Sequence, residues 1–213
     1  MDQRDWDARY AAADLVWGAE PNRWVVRETA GLPPGRALDL AAGEGRNSIA
    51  LAAAGWQVTA VDLSPVALDR GRRLAAAQPP GTAGRITWVH ADATAYTPEP
   101  AGYDLVVLCF LHLPAADRRT VLDHAARALA PGGTLLVIGH DTSNLTEGVG
   151  GPQDPAVLFT PDDVLADLAG AGLETVRAER LRRPVAPGHA RGQDQGGGPA
   201  AEAVDALVRL HRP

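Results

Sequence analysis

The sequence predicts an α/β fold, a doubly wound and mostly parallel sheet with helices on both faces. Three observations predict it. Strand-like and helix-like segments alternate along the chain, which is the pattern of repeated β-α units. The run Leu105 to Leu111 (LVVLCFL) is apolar without a break, as a strand covered on both faces must be. And in Ala37 to Ser48 (ALDLAAGEGRNS) an apolar strand runs into two alternating glycines and then a helix, the turn from which nucleotide-binding sheets are built.

Each element follows in order. Gly43 and Gly45 lack a Cβ, so the backbone can turn sharply and a ligand can approach the peptide planes, where a side chain would fill the ligand's place. The helix starts at Arg46 or Asn47 and runs to Ala54; strand 57–63 (QVTAVDL) places Asp62 seventeen residues beyond Gly45. Ser64 caps a helix that has Pro65 in its first turn and ends near Ala77. After a loop with Pro79, Pro80, Gly81 and Gly84, strand 86–91 ends in Asp92-Ala93. Strand 105–111 leads to a helix from Pro114 to Ala130, stopped by Pro131-Gly132-Gly133, and strand 134–139 resumes the sheet. A helix from Pro161 to Gly170, a strand over 173–183 and a last strand over 204–211 complete seven strands, with no internal repeat. Residues 184–202 (PVAPGHARGQDQGGGPAAE) are a flexible glycine- and proline-rich loop, too poor in apolar residues to pack firmly. They read equally as an active-site flap or as disorder.

Length and composition bound the class. A chain of 213 residues suits a single domain over 1–213, and 46% hydrophobic with 22% charged residues is ordinary for a globular protein. No apolar run approaches the roughly 18 residues that cross a membrane, and MDQRDWDARY has neither a signal core nor a basic leader, so the expected location is cytoplasmic. The single cysteine, Cys109, excludes an internal disulfide framework and a cysteine zinc site, and no metal site is expected. A net charge of −6 without a basic run argues against a nucleic-acid partner and for a small-molecule substrate. Oligomeric state stays open.

The glycine turn with a distant acid points to a nucleoside-bearing cofactor, with Asp62 accepting from both ribose hydroxyls. Three details favour S-adenosylmethionine over NAD. The third glycine of the dinucleotide turn is replaced by Ser48. Asp92 and Ala93 are placed to receive an adenine amino group and donate to its ring. All 20 basic residues are arginine, which excludes a Tyr/Lys dehydrogenase pair, a Schiff-base lysine and a P-loop lysine.

These residues carry a resemblance. DLAAGEGRNSIALA, VDLS at 61–64, HADA at 90–93, YDLVVLCFLHLP at 103–114 and LAPGGTLLVIG at 129–139 resemble the successive motifs of class I S-adenosylmethionine-dependent methyltransferases, in order and spacing. GRNS at 45–48, with WDARY at 6–10 and VWG at 16–18, resembles the compact bacterial branch related to tellurite-resistance and thiopurine methyltransferases. Ala41 departs from the family's first glycine, which tightens the turn by one methyl group. The resemblance implies a Rossmann-like sheet whose last strand is antiparallel. It also implies that Trp6, Tyr10 and Trp17, in an N-terminal segment spanning 1–30, form a lid over the cofactor; ordinary packing is the competing reading, and the preferred one for Trp24. Asp39 is implied to lie near the methionine amino group.

The expected cofactor residues are therefore Trp6, Tyr10, Trp17, Asp39, Ala41, Gly43, Gly45, Arg46, Asp62, Leu63, Asp92, Ala93 and Phe110. Arg46 at a helix N-terminus is electrostatically misplaced unless an anion sits nearby, either the cofactor carboxylate or an anionic substrate. His112 follows the strand beside the methyl group, where it would orient or deprotonate a substrate, or make a structural hydrogen bond. His112, His140, His189 and Arg191 are the acceptor-side candidates; Cys109 reads as a small core residue and His90 as structural. Direct displacement at a sulfonium methyl needs chiefly alignment and exclusion of water. The expected function is methyl transfer to a small acceptor, whether anionic or a thiol, selenium or tellurium species. The alternatives are a larger metabolite methylated at oxygen or nitrogen, and a non-catalytic S-adenosylmethionine-binding module.

Overall fold

A computed structural model describes residues 1–13, 15–185 and 201–213. Its elements are α1 (Gln3–Ala11), α2 (Arg23–Thr29), β1 (Arg36–Leu40), α3 (Arg46–Ala53), β2 (Gln57–Asp62), α4 (Pro65–Ala76), β3 (Ile86–His90), β4 (Tyr103–Cys109), α5 (Ala115–Ala128), β5 (Leu129–His140), α6 (Asn144–Glu147), α7 (Pro161–Asp167), β6 (Glu174–Pro184) and β7 (Glu202–His211). The strands form one seven-stranded sheet in the order β3-β2-β1-β4-β5-β7-β6. Strands β1 to β5 are mutually parallel, and β7 runs antiparallel to both of its neighbours. The expected architecture is present, with one refinement: the last strand does not sit at the edge but is inserted between β5 and β6. Burial explains the placement. Ala203 to Val208 are all buried, whereas β6 is half-exposed along its length, so the more apolar strand takes the interior place and the arginine-rich one the edge.

Alternation along β4 shows why its sequence is continuously apolar. Val106 and Leu108 pack with Leu38, Val121 and Leu122 under α5, while Leu105 and Val107 pack with Leu51, Trp56 and Leu136 on the opposite face. The helix starts follow local chemistry. Ser64 accepts the Ala67 N–H with Pro65 in the first turn of α4, and Thr160 and Asp163 cap each other at α7. Strand β5 begins earlier than its sequence suggests. Tyr103 pairs with Leu129 but Leu105 with Thr134, so residues 130–133 bulge out of the ladder at the proline and glycines.

The chain fills the β1-β2-β3 side of the sheet first and then crosses to β4, which lies beside β1. That adjacency is the topological switch point, where a crevice opens outside the carboxyl ends of the strands.

Candidate active site

Two non-glycine residues hold left-handed backbone at the crevice, Ala41 after β1 (φ 60°) and Phe110 after β4 (φ 62°). An L side chain there costs roughly 1–2 kcal/mol, and such strain gathers at functional sites. The Phe110 amide donates to the Ile138 carbonyl at 2.7 Å, which ties the turn to β5.

Asp62, at the end of β2, accepts from the Gly43 amide at 2.7 Å through Oδ2 and from the Ser64 amide at 2.8 Å through Oδ1. Two of its four lone-pair positions are used. Burial holds its carboxyl above the ordinary carboxylate range, opposed by those two amides. Leu63 follows, its carbonyl 3.0 Å from His90 Nε2, which makes His90 a strut between β2 and β3 as expected. Asp92 is exposed and its Oδ1 takes both the Thr94 amide and hydroxyl at 2.8 Å, an Asx turn that ends β3; Ala93 beside it is buried.

Asp39 is 1% exposed. Its Oδ2 accepts from the Ser48 hydroxyl at 2.6 Å, and its Oδ1 is buried with no partner among the described residues. Desolvation pushes this carboxyl up to about 6, with the Ser48 hydrogen bond pulling the other way. A buried carboxylate oxygen without a donor is costly, and a ligand's ammonium or hydroxyl would remove that cost. Asp39, Asp62, Ala41 and Gly43 thus converge on one crevice.

Gly43 and Gly45 serve different neighbours. A Cβ on Gly43 would stand 2.8 Å from the Tyr10 hydroxyl, whereas one on Gly45 would collide with the indole of Trp88. Gly45 is thus required by the packing of Trp88 as well as by its left-handed φ of 78°. The same indole lies 2.5 Å from where a Cβ on Gly71 of α4 would be, so two glycines make its slot.

The N-terminal segment lies on the glycine turn. Tyr10 is buried there and accepts from Trp17 Nε1 at 3.2 Å; the Ser64 hydroxyl donates to Asp7 at 2.5 Å, and the Val16 amide donates to Glu44 at 2.9 Å. Burial, with Asp62 nearby, raises the Tyr10 hydroxyl well above its ordinary range, so it stays protonated. Trp6 stacks on Tyr10, and the Arg9 guanidinium lies over both Trp6 and Trp17. Arg46 donates through Nη1 to the Trp17 carbonyl at 2.9 Å, and its charge acts on Asp39.

On the acceptor side, His112 is not placed as a base. Its Nε2 accepts the His140 amide at 3.0 Å, so that lone pair is spent inside the fold, and burial with His140 alongside lowers the ring to about 3. His140 is stacked on it at 5.4 Å and lies 4.9 Å from the Phe110 ring. Burial lowers His140 to about 4, with Asp205 opposing, so both rings are neutral at pH 7. His189 and Arg191 fall outside the described residues.

Several residues here escaped the sequence reading. Asp205 on β7 is fully buried; it accepts from Trp24 Nε1 at 2.8 Å and from Arg183 Nε at 2.7 Å, and lies 3.5 Å from His140 Nδ1. Arg183 in turn covers the Phe110 ring at 5.5 Å. A lone aspartate inside VDALV is the signal that was available, since a carboxylate in an apolar strand needs partners. Trp24 is buried as expected, with its N–H on that carboxylate. Cys109 is partly buried against the core, and desolvation pushes its thiol up to about 12, consistent with an unreactive residue. Among the described residues no group of acids, histidines and cysteine is placed to hold a metal, and no helix is long and apolar enough to cross a membrane.

Comparison with known proteins places this geometry. Residues 37–133 match a methyltransferase domain family. A demethylmenaquinone methyltransferase of Clavibacter sepedonicus is 38% identical over 122 residues, which are 56% of this chain and 48% of that protein. The chain thus spans about half the length of the curated relatives it matches. A chain solved in work on the conversion of a disulfide bond into a thioacetal group during echinomycin biosynthesis superposes with a TM-score of 0.75 at 22% identity, covering 99% of this chain and 91% of the other. The glycopeptide N-methyltransferase MtfA complexed with S-adenosyl-L-methionine superposes at 0.64 with 23% identity (92% and 88% covered), and TehB from Haemophilus influenzae at 0.68 with 17% identity (90% and 62% covered). The match over residues 37–133 and the superpositions agree on the fold: the seven-stranded sheet is shared with solved methyltransferase structures, and its first four strands lie in the segment that resembles a methyltransferase domain.

Proposed function

We propose that the chain is an S-adenosylmethionine-dependent methyltransferase acting on a small-molecule acceptor. The observation that carries the reading is Asp39, whose buried Oδ1, unpartnered among the described residues, stands in the same crevice as Asp62 and the Gly43 amide. An ammonium near Asp39 and a ribose near Asp62 match the two ends of this cofactor, with Asp92 and Ala93 beyond the ribose for adenine and Leu63 between them. When bound, the cofactor supplies a methyl group already activated on a sulfonium. The chain then needs to align the acceptor and exclude water, and Tyr10, Trp6 and Trp17 over the turn serve the second need.

Electrostatics narrows the acceptor. His112 and His140 are neutral and Arg183 is paired with Asp205, while Arg46 keeps its charge with one N–H on the Trp17 carbonyl. The two histidines and Arg183 thus add little positive field with which to hold tellurite, selenite or another anion. An acceptor that arrives neutral suits this lining better.

The test is binding and turnover. Asp62→Ala removes charge-assisted hydrogen bonds worth roughly 1.5–3 kcal/mol each, so S-adenosylmethionine affinity measured by calorimetry should fall at least about tenfold; unchanged affinity sinks the assignment. Formation of S-adenosylhomocysteine with some acceptor in a panel of small thiols, phenols, amines and oxyanions separates an enzyme from a cofactor-binding module, for which every acceptor would stay unmethylated.

A further inference from the structure

His140, Asp205, Arg183 and Trp24 come from four elements, and the cofactor reading leaves them unused. Asp205 is fully buried between β5 and β6, and Trp24 and Arg183 donate to it. Its Oδ1 is 3.5 Å from His140 Nδ1, a charge-pair separation without hydrogen-bond geometry, and that nitrogen is buried with no other partner among the described residues. His140 Nε2 makes no hydrogen bond among them either, although the residue is only 9% exposed. The ring closes the carboxyl end of β5, edge-tilted against Phe110, with Gly151 lying over it. A Cβ on Gly151 would come within 2.8 Å of Nε2, so the loop leaves the ring its space by having glycine there.

Such a ring has a definite use. With Nδ1 turned to a carboxylate, the stable neutral tautomer carries its proton on Nδ1 and its lone pair on Nε2. A proton reaching Nε2 would make an imidazolium beside a fixed, desolvated anion, and the 3.5 Å approach would tighten to a hydrogen-bonded ion pair. We infer that His140 is the general base of the acceptor site and Asp205 its positioning residue, and that the acceptor is a protonated oxygen or nitrogen on a flat ring, a phenolic hydroxyl or an aryl amine. This rests on the methyltransferase reading. The acceptor's lone pair forms the new bond to the methyl carbon as the carbon–sulfur bond breaks and its electrons pass to sulfur, while the acceptor's proton moves to His140 Nε2 and later to solvent. The half-buried Phe110 ring, held under Arg183, provides the flat surface. The groups facing His140 are Asp205 on β7, Arg183 on β6, His112 after β4 and the adjoining Asp141, whose Oδ1 is taken by Ser143. Of these, Asp205 is the carboxylate found beside Nδ1, while the Oδ2 of Asp141 is buried without a partner among the described residues.

Two measurements test this. Nitrogen-15 NMR of the histidines in the wild-type protein needs no acceptor. The expected result is a His140 ring that is neutral from pH 6 to pH 8 and protonated at Nδ1; a charged ring, or a proton on Nε2, overturns the proposal. The second compares wild type and His140→Gln on two probes, 4-methylphenol, which must lose a proton, and iodide, which has none to lose. Turnover of the phenol should fall about a hundredfold or more, with iodide turnover and S-adenosylmethionine affinity within about twofold. Equal loss on both probes, equal retention, or weakened cofactor binding would each overturn it. If the wild-type protein methylates neither probe nor any acceptor of the wider panel, the methyltransferase reading fails, and the ring tautomer still decides the role of His140.

Discussion

Asp39 links burial directly to a measurable pH dependence. Desolvation raises its carboxyl to about 6, so in the free protein the group is ionised only above that value. The sign for stability follows: ionising a group raised in the folded state costs stability progressively from the ordinary carboxylate range up to about 6. A ligand ammonium reverses that cost because it pairs with the ionised form. Affinity for S-adenosylmethionine should therefore weaken about tenfold per pH unit below pH 6 and level off above pH 7. Calorimetric titrations between pH 5 and pH 8 measure this, and a flat profile would place the amino group elsewhere. The identity of Asp39 was legible in the sequence from its place at the end of a strand before the glycine turn. Its unpartnered oxygen was not, because partners are a property of the packed site.

At the scale of elements, the N-terminal segment is where sequence left two readings and packing supplies a physical basis for one. Helix α1 and the residues after it are held on the glycine turn and on α4 by Ser64 to Asp7, Val16 to Glu44, Arg46 to the Trp17 carbonyl and Arg70 to the Ala13 carbonyl. Tyr10 is the buried anchor of the segment, while Trp17 is 41% exposed and the remaining ties are single hydrogen bonds. Elements held this way open at low free-energy cost. Filling the crevice should bury more of Trp6 and Trp17 and slow hydrogen exchange of residues 1–13 by at least about tenfold. Identical exchange with and without S-adenosylhomocysteine would leave α1 as ordinary packing.

At the scale of the whole molecule, Asp205 joins α2, β5, β6 and β7 through one carboxylate. Its replacement by alanine would strand the buried Trp24 N–H and unpair the Arg183 guanidinium, whose side chain is 22% exposed, and removal of one partner from a buried charged pair costs up to roughly 3–5 kcal/mol. Urea unfolding of Asp205→Ala, followed by tryptophan fluorescence, should show a loss of that size; a loss below about 1 kcal/mol would mean that water satisfies the stranded groups. Because Arg183 lies at the end of β6, the same substitution should loosen the edge strand before the parallel strands β1 to β5.

What the sequence determined by itself is whatever is local in the chain. The strands, the glycine turn, Ser64 and Pro65 at a helix start, Asp62 at its distance from Gly45 and the unbroken apolar run of β4 depend on residues a few positions apart, where periodicity and backbone preference act directly. Only the tertiary structure decided three further matters. It inserted β7 between β5 and β6 because β7 has the more apolar flanks, it spent the lone pair of His112 on the His140 amide, and it set Asp205 beside His140 and Arg183. Each joins residues far apart in the chain: Trp24 and Asp205 are separated by 181 positions. Burial then determines their charge, since a histidine's protonation depends on the water and partners around it, which no stretch of sequence records.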